Sequence, residues 1–250
     1  MSTQDRVAIF GGTFDPFTIA HREICREAID KLYIDKLYVI PTVVDYHRPG
    51  KDKWLDDSSR ITVAKRMLWS LGYKYLDKWE IDDHEIRLKR LCEDTDKRTN
   101  SSLLEEVIKP RRFIHTLLDF KTRHPDSSIH LILGSDSVKN LPSWHKWESI
   151  FENIDDLVMV QGRDGETISV PEEISRRFPW AKAPDIIDLP STLEGISATR
   201  IRAKYRCNPE YGLFQYVSEV DDFDRGQASL KGLGWAALPS PPPPSSVNNN

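Results

Sequence analysis

Apolar and polar positions along the chain change their period repeatedly. Val7-Ala8-Ile9-Phe10 is an unbroken apolar run ending at the pair Gly11-Gly12, the pattern of a short strand buried in the middle of a sheet. Beyond it Ile24, Ala28 and Leu32 recur every four positions, as one face of a helix does. The same alternation then repeats. Lys36 to Ile40 predicts a second strand ending at Pro41, and Ile61, Ala64, Met67, Leu68 and Leu71 line one face of a helix that Asp57 or Ser58 can cap and Gly72 ends. Trp79-Glu80-Ile81 reads as a short strand before charges take over, and Leu91 to Arg112 as a polar excursion with a short helix around Leu103 to Ile108. Phe113, Leu117, Leu118 and Phe120 belong to a helix closed by His124-Pro125, and Ile129 to Leu133 to a central strand. Leu157 to Val160 supplies a further strand, Gly162-Arg163-Asp164-Gly165 a turn, Pro171 to Phe178 a short helix and Ile186 to Leu189 the last strand. Helices are expected from Ile196 and over Pro209 to Val217.

Strand and helix in strict alternation predict an α/β fold: a Rossmann-like, doubly wound parallel sheet with right-handed crossovers, forming a single domain over residues 1–222. After Asp221 the composition turns acidic, then glycine-rich, then Ser-Pro-Pro-Pro-Pro-Ser-Ser and three asparagines. Such a stretch buries too little apolar surface to offset its ordering entropy, so residues 223–250 are expected to be a disordered Gly- and Pro-rich tail. Docking of Leu230, Leu233, Trp235 and Leu238 as a patch, or capture of the polyproline by a partner groove, is the alternative.

Composition narrows the classes. A chain of 250 residues with 39% hydrophobic content can bury one full core. A formal net charge of −4 argues against a nucleic-acid binder that works by neutralising phosphates, although it leaves room for a locally basic cleft. No apolar run approaches the roughly 18 residues of a membrane helix. A cytoplasmic protein is expected, or a nuclear one in a eukaryotic source, without membrane or nucleic-acid partner and with a homo-oligomer left open. Cys25, Cys92 and Cys207 are too few and too widely spaced for a disulfide framework or a zinc site, and read as free thiols.

Three stretches carry candidate chemistry, and all three follow predicted strands, at the sheet edge where ligands of open α/β folds bind. In the first, Gly11 and Gly12 permit a tight turn, and the unpaired N–H groups opening the next helix form an anion site. Thr18 and His21 stand three apart at that helix start, so hydroxyl and imidazole share a face and are expected to point at one anion. A capping threonine on an ordinary strand and turn is the plain alternative. The second stretch is Gly134-Ser135-Asp136 followed by Leu141-Pro142-Ser143-Trp144, where Trp144 and Trp147 can also be read as core aromatics one helical turn apart. The third is Ser197-Ala198-Thr199-Arg200-Ile201-Arg202, whose hydroxyls and guanidinium groups suit phosphate oxygens, or else a capped helix with a solvated arginine. The segment Thr42 to Trp54 adds a basic loop with His47 and Arg48.

The string Gly11-Gly12-Thr13-Phe14-Asp15-Pro16 with Thr18 and His21 resembles the signature of the nucleotidylyltransferase superfamily. The third stretch resembles the Ile-Ser-Ser-Thr-x-x-Arg motif of the same superfamily, with Ala198 in place of the second serine and the family's arginine on Arg202. The middle stretch is similar to the Gly-Ala-Asp and Leu-Pro-x-Trp pattern of nicotinate and nicotinamide mononucleotide adenylyltransferases. The resemblance covers roughly Arg6 to Val217. It departs at Arg111 to Leu117, where bacterial members carry Ser-Tyr-Thr-x-Asp-Thr-Leu, and at Glu194-Gly195-Ile196-Ser197, which echoes the cytidylyltransferase version of the motif.

The resemblance implies transfer of the adenylyl group of ATP to a pyridine mononucleotide, the last bond of a dinucleotide, in NAD biosynthesis. His21 would donate to the α-phosphate, assisted by Thr18 and by the backbone around Gly11, Gly12, Thr13 and Phe14. Ser197, Thr199 and Arg202 would hold the outer phosphates, joined by His47 and Arg48, whose loop is similar to the family's Pro-x-His-Lys loop. Gly134 and Asp136 would lie at the ribose and Trp144 against the pyridine ring. Mg2+ would be held by phosphates and water rather than by a protein site. Cytidylyl transfer, adenylyl transfer to phosphopantetheine, and a nucleotide-binding regulator without turnover are the alternatives.

Overall fold

The computed structural model describes residues 4–43, 53–96 (backbone alone over 92–96), 112–161, 169–190, 193, 196–205 and 216. Six parallel strands, β1 (Arg6–Gly12), β2 (Lys36–Pro41), β3 (Trp79–Ile81), β4 (Ser128–Gly134), β5 (Asp156–Val160) and β6 (Asp185–Ile187), lie in the order β3-β2-β1-β4-β5-β6. The chain therefore winds outward from β1 in one direction, returns, and winds outward from β4 in the other. That is the doubly wound sheet the alternation predicts. Its switch point lies between the carboxyl ends of β1 and β4, the place where a crevice opens because the connections leave in opposite directions.

Strands buried on both faces explain the unbroken apolar runs. Val7 and Ile9 of β1, Tyr38 and Ile40 of β2, and Ile129, Leu131 and Leu133 of β4 share one core. The alternate residues Ala8, Phe10, Leu37 and Val39 point to the other face and are as well buried. Against the first face, the helices at Phe113–Arg123 and Trp147–Phe151 pack Ile114, Leu117, Phe120, Ile150 and Phe151. The helices at Ile19–Lys31 (α1) and Asp57–Trp69 (α2) pack on each other, and α1 packs on β2. In chain order the remaining helices are α3 (His84–Asp96), α4 (Phe113–Arg123), α5 (Ser135–Asn140), α6 (Trp147–Phe151), α7 (Glu172–Arg177) and α8 (Ala198–Lys204). Among the described residues no helix is long and apolar enough to cross a membrane.

At the amino edge of the sheet, buried His130 on β4 bonds Asp156 of β5 at 3.1 Å through Nδ1, and Arg6 Nε of β1 reaches its Nε2 at 3.4 Å. Three strands are thereby tied where their side chains carry no ligand chemistry.

Several boundaries differ from the sequence reading. The cap of α2 is Asp56, whose Oδ1 accepts the Ser59 N–H at 2.7 Å; Asp57 turns instead to Arg60, and Ser58 is already helical. That N–H bond lowers the Asp56 pKa below the usual carboxylate range. Residues 84–96 form a helix where charges suggested none, because Asp82 Oδ1 accepts the His84 N–H at 3.0 Å and Ile86 and Glu85 are buried beneath the charged face. The last strand lies at Asp185–Ile187 and the following helix begins at Ala198 rather than Ile196. The predicted turn at Gly162 to Gly165, the short helix around Leu103 to Ile108, nearly all of the helix at 209–217 and the tail lie outside the described residues.

All six strands belong to one compact unit, Met1–Ala198, and Thr199–Asn250 forms a second. Cys25 is a free thiol inside α1, and burial raises its pKa far above the ordinary value, so it is an inert core residue rather than a nucleophile. Cys92 and Cys207 lie outside the described side chains.

Candidate active site

The turn after β1 is shaped by aromatic packing. Phe14 adopts φ +45, a left-handed angle uncommon for a side chain this large, and its ring meets Phe10 and Phe17 with centroids 5.3 and 5.0 Å away. The ring leans over Gly12 so closely that a Cβ there would stand 2.9 Å from Phe14 Cε1. Glycine at that position is thus a steric requirement.

Thr18 caps α1 in an extended conformation and is buried. Its Oγ1 accepts the His21 N–H at 3.3 Å, while the Thr18 N–H donates to His21 Nδ1 at 2.9 Å. The two side chains stand side by side, with Oγ1 and Nδ1 3.1 Å apart, and the hydroxyl oxygen that caps the helix also holds the imidazole in place. With Nδ1 occupied as an acceptor, the proton of a neutral imidazole sits on Nε2. The ring is held by Phe10, Phe14 and Phe17, at 5.9, 5.2 and 5.2 Å between centroids. His21 is therefore a preoriented Nε2 donor at the first turn of a helix.

A cavity of about 420 Å³ opens at the β1/β4 switch point. It is lined by Phe10, Gly11, Gly12 and Thr13 at the end of β1, by Ile132, Leu133 and Gly134 at the end of β4, and by Arg112, Phe113, Ser143, Trp144 and His145; Phe113 comes against Gly11, where a Cβ would stand 3.5 Å from its Cε2. Five residues singled out in the sequence meet there: Gly11, Gly12, Thr13, Gly134 and Trp144. Phe14, Thr18, His21, Asp136 and Ser197 do not line it, although His21 stands one ring behind Phe10. Asp136 lies beside Gly134, where a Cβ would come within 2.8 Å of its Oδ1, and that oxygen accepts the Ser137 N–H at 2.8 Å.

The two tryptophans separate. Trp144 has extended backbone angles and Lys146 is left-handed (φ 52), so α6 starts only at Trp147 and the two rings are not one helical turn apart. Trp147 packs against Phe151 and Phe178 in the core, whereas half-buried Trp144 meets Phe113 edge-on at 5.6 Å and faces the cavity.

Ser197 belongs to the first unit, which ends at Ala198; Thr199, Arg200 and Arg202 belong to the second, where Arg202 Nη2 donates to Thr199 Oγ1 at 3.1 Å. His47 and Arg48 lie outside the described residues.

Buried charges brace the cavity wall; Asp15 stands in the glycine-turn string, whereas the sequence did not single out Arg60 or Glu85. Arg60, fully buried on α2, donates from Nη1 to the carbonyls of Thr13 and Thr42 and from Nη2 to Asp57 Oδ1. Asp15 accepts the Trp54 and Leu55 N–H groups at 3.0 and 2.9 Å. Glu85 accepts the Val43 N–H and the Thr116 hydroxyl, both at 2.7 Å. Since Thr13 and Thr42 both line the cavity, its shape depends on Arg60.

The fold, the glycine turn and the oriented histidine frame the comparison with known proteins. The family model described as cytidylyltransferase-like matches residues 9–204. The chain belongs to the cytidylyltransferase-like family. This cytidylyltransferase-like chain is 28% identical over 178 residues to a protein of Aliarcobacter butzleri named "Probable nicotinate-nucleotide adenylyltransferase", covering 68% of the chain and 83% of that protein. A protein of the same name from Albidiferax ferrireducens is 30% identical over 148 residues, which span 59% of the chain and 61% of its own length. Among solved structures, that of Plasmodium falciparum nicotinic acid mononucleotide adenylyltransferase complexed with NaAD matches with a TM-score of 0.58 at 18% identity, covering 88% of the chain and 96% of that structure. The fold of the cytidylyltransferase-like chain is thus that of a nucleotidylyltransferase.

Proposed function

We propose that the chain transfers the adenylyl group of ATP to nicotinate or nicotinamide mononucleotide, forming the dinucleotide and pyrophosphate. The observation that carries this reading is one cavity with a glycine turn on one wall and the Trp144 ring on the other, at the switch point of the sheet. Its volume, about 420 Å³, falls in the range of small-ligand pockets. The names of the relatives point to the same acceptor.

A phosphate oxygen of the mononucleotide attacks the α-phosphorus of ATP, the bond from that phosphorus to the oxygen bridging to the β-phosphate breaks, and pyrophosphate leaves with that oxygen. The attacking oxygen is already anionic, so no protein base or nucleophile enters. Catalysis then rests on alignment and on stabilising charge at the α-phosphate. His21 Nε2–H donates there, Thr18 holds His21, and the backbone around Thr13 and Phe14 assists. Ser197, Thr199 and Arg202 hold the outer phosphates together with His47 and Arg48, and Asp136 takes the ribose beside Gly134. Magnesium enters as the ion carried by ATP. The polar groups lining the cavity are hydroxyls, backbone amides, a guanidinium and an imidazole, a set that complements phosphate better than a divalent cation, so the ion would be held by phosphate oxygens and water and would offset their charge.

The test is a panel of ATP and CTP against nicotinate mononucleotide, nicotinamide mononucleotide and phosphopantetheine, repeated with Trp144→Ala on the best pair. Stacking of an electron-poor pyridinium on indole is worth on the order of 1 to 2 kcal/mol, so the variant raises the KM for the mononucleotide about ten-fold and leaves that for ATP near its original value. Turnover of neither pyridine nucleotide, or equal weakening of donor and acceptor, contradicts the reading.

Gly134→Ala probes the ribose contact. The added methyl meets only the far end of the Asp136 side chain, so the carboxylate turns away while the fold stands. A drop in kcat/KM of about ten-fold with an unchanged melting temperature is expected, since small misplacements of a positioning group are costly. Wild-type kinetics for this variant would remove Asp136 from the site.

A further inference from the structure

The cavity is lopsided in charge. Among the described residues lining it, Arg112 and His145 are the ionisable ones, and no aspartate or glutamate lines it. Both stand on the wall that carries the aromatic corner. Phe113 follows Arg112 directly, and its ring meets Trp144 edge-on at 5.6 Å; His145 follows Trp144, and its ring lies 6.1 Å from His115. Arg112 is exposed, yet its backbone is fixed as the residue before α4, with its N–H donating to His115 Nδ1 at 3.1 Å. A guanidinium is thus anchored at the edge of an aromatic slot whose Phe113 ring reaches the glycine turn, since a Cβ on Gly11 would stand 3.5 Å from Phe113 Cε2.

We propose that Arg112 is the specificity-determining residue of the acceptor subsite, reading a carboxylate on the pyridine ring and selecting the acid mononucleotide over the amide. This rests on the adenylyl-transfer reading above. A planar guanidinium fork pairs with both oxygens of a carboxylate, while a carboxamide offers one acceptor and presents an NH2 group that the guanidinium cannot accept. The amide therefore leaves part of the fork unpaired. His145 adds a second donor on the same side, which deepens the preference without supplying a fork.

The experiment measures binding of nicotinate mononucleotide and nicotinamide mononucleotide by calorimetry, and kcat/KM for each with ATP, in the parent protein, Arg112→Met and Arg112→Lys. The side chain is exposed and its backbone bond survives substitution, so folding is retained. The parent is expected to favour the acid, and Arg112→Met to lower the acid-to-amide ratio roughly 10- to 100-fold, mainly through binding of the acid. Arg112→Lys recovers only part of it, because the charge returns without the fork. A ratio unchanged within about two-fold overturns the proposal. So does an equal loss for both mononucleotides, which would place Arg112 on the phosphate they share, or a parent preference for the amide. If the parent binds neither mononucleotide, the adenylyl-transfer reading itself falls, an outcome distinct from an unmoved ratio.

Discussion

Replacing His21 by alanine is expected to lower kcat by about 100-fold or more while the affinity for ATP changes little. Removing a preorganised donor that acts on charge developing in the transition state costs a factor of this size. The preorganisation is visible: Nδ1 accepts the Thr18 N–H, which puts the proton of the neutral ring on Nε2, and three phenylalanine rings fix the imidazole plane. Alanine also removes an acceptor from the cap of α1, an effect of about 1 kcal/mol on stability. His21→Asn separates the two, since its side-chain oxygen can take over the capping bond but offers nothing where Nε2 stood. Both variants should lose the rate, and only alanine should lose part of the melting temperature. Single-turnover rates within a few-fold of the parent would rule His21 out as the donor.

Arg60→Met is expected to be the most destabilising change near the cavity. The side chain is fully buried and donates to two backbone carbonyls and one carboxylate, so methionine fills the volume and leaves all three acceptors short of a partner. Breaking a buried pair by removing one member costs about 3 to 5 kcal/mol. Asp57 keeps Lys89 at 3.9 Å, which places the loss near the lower end. At roughly 2 to 4 °C per kcal/mol for a domain of this size, the melting temperature should fall by about 6 to 12 °C in calorimetry. Because Thr13 and Thr42 lose their tether, the KM for the mononucleotide should rise as well. A melting temperature within about 2 °C of the parent would show that the carbonyls find other donors.

Those two residues also mark what the sequence could and could not reveal. His21 was legible because a glycine turn, a capping threonine and a histidine three residues on form a local pattern, and Thr18, Phe10, Phe14 and Phe17, which hold it, lie within a dozen residues. The pattern put hydroxyl and imidazole on one face, and Thr18 Oγ1 and His21 Nδ1 do lie 3.1 Å apart; what it did not show is that the same hydroxyl oxygen caps the helix. Arg60 was not legible: three residues after Asp57 it looks like an ordinary surface pair, and its burial is decided by Thr13 and Thr42, which arrive from other elements. Glu85 is hidden for the same reason. The parallel sheet followed from apolar runs such as Val7 to Phe10 and Ile129 to Leu133, which only a strand covered on both faces requires. The strand order, and with it the meeting of Gly12 and Gly134 at one crevice, is a property of the connections. Trp144 and Trp147 have the same residue type and neighbouring positions, and only the left-handed angle at Lys146 sends one to the cavity and the other to the core.

Labelled phosphorus tests the central claim most directly. With ATP carrying label at the α-phosphorus and nicotinate mononucleotide as acceptor, a quenched single turnover should place the label in the dinucleotide, mole for mole with pyrophosphate released. Label that stays in ATP, or appears as adenosine monophosphate without dinucleotide, would contradict adenylyl transfer to a pyridine mononucleotide.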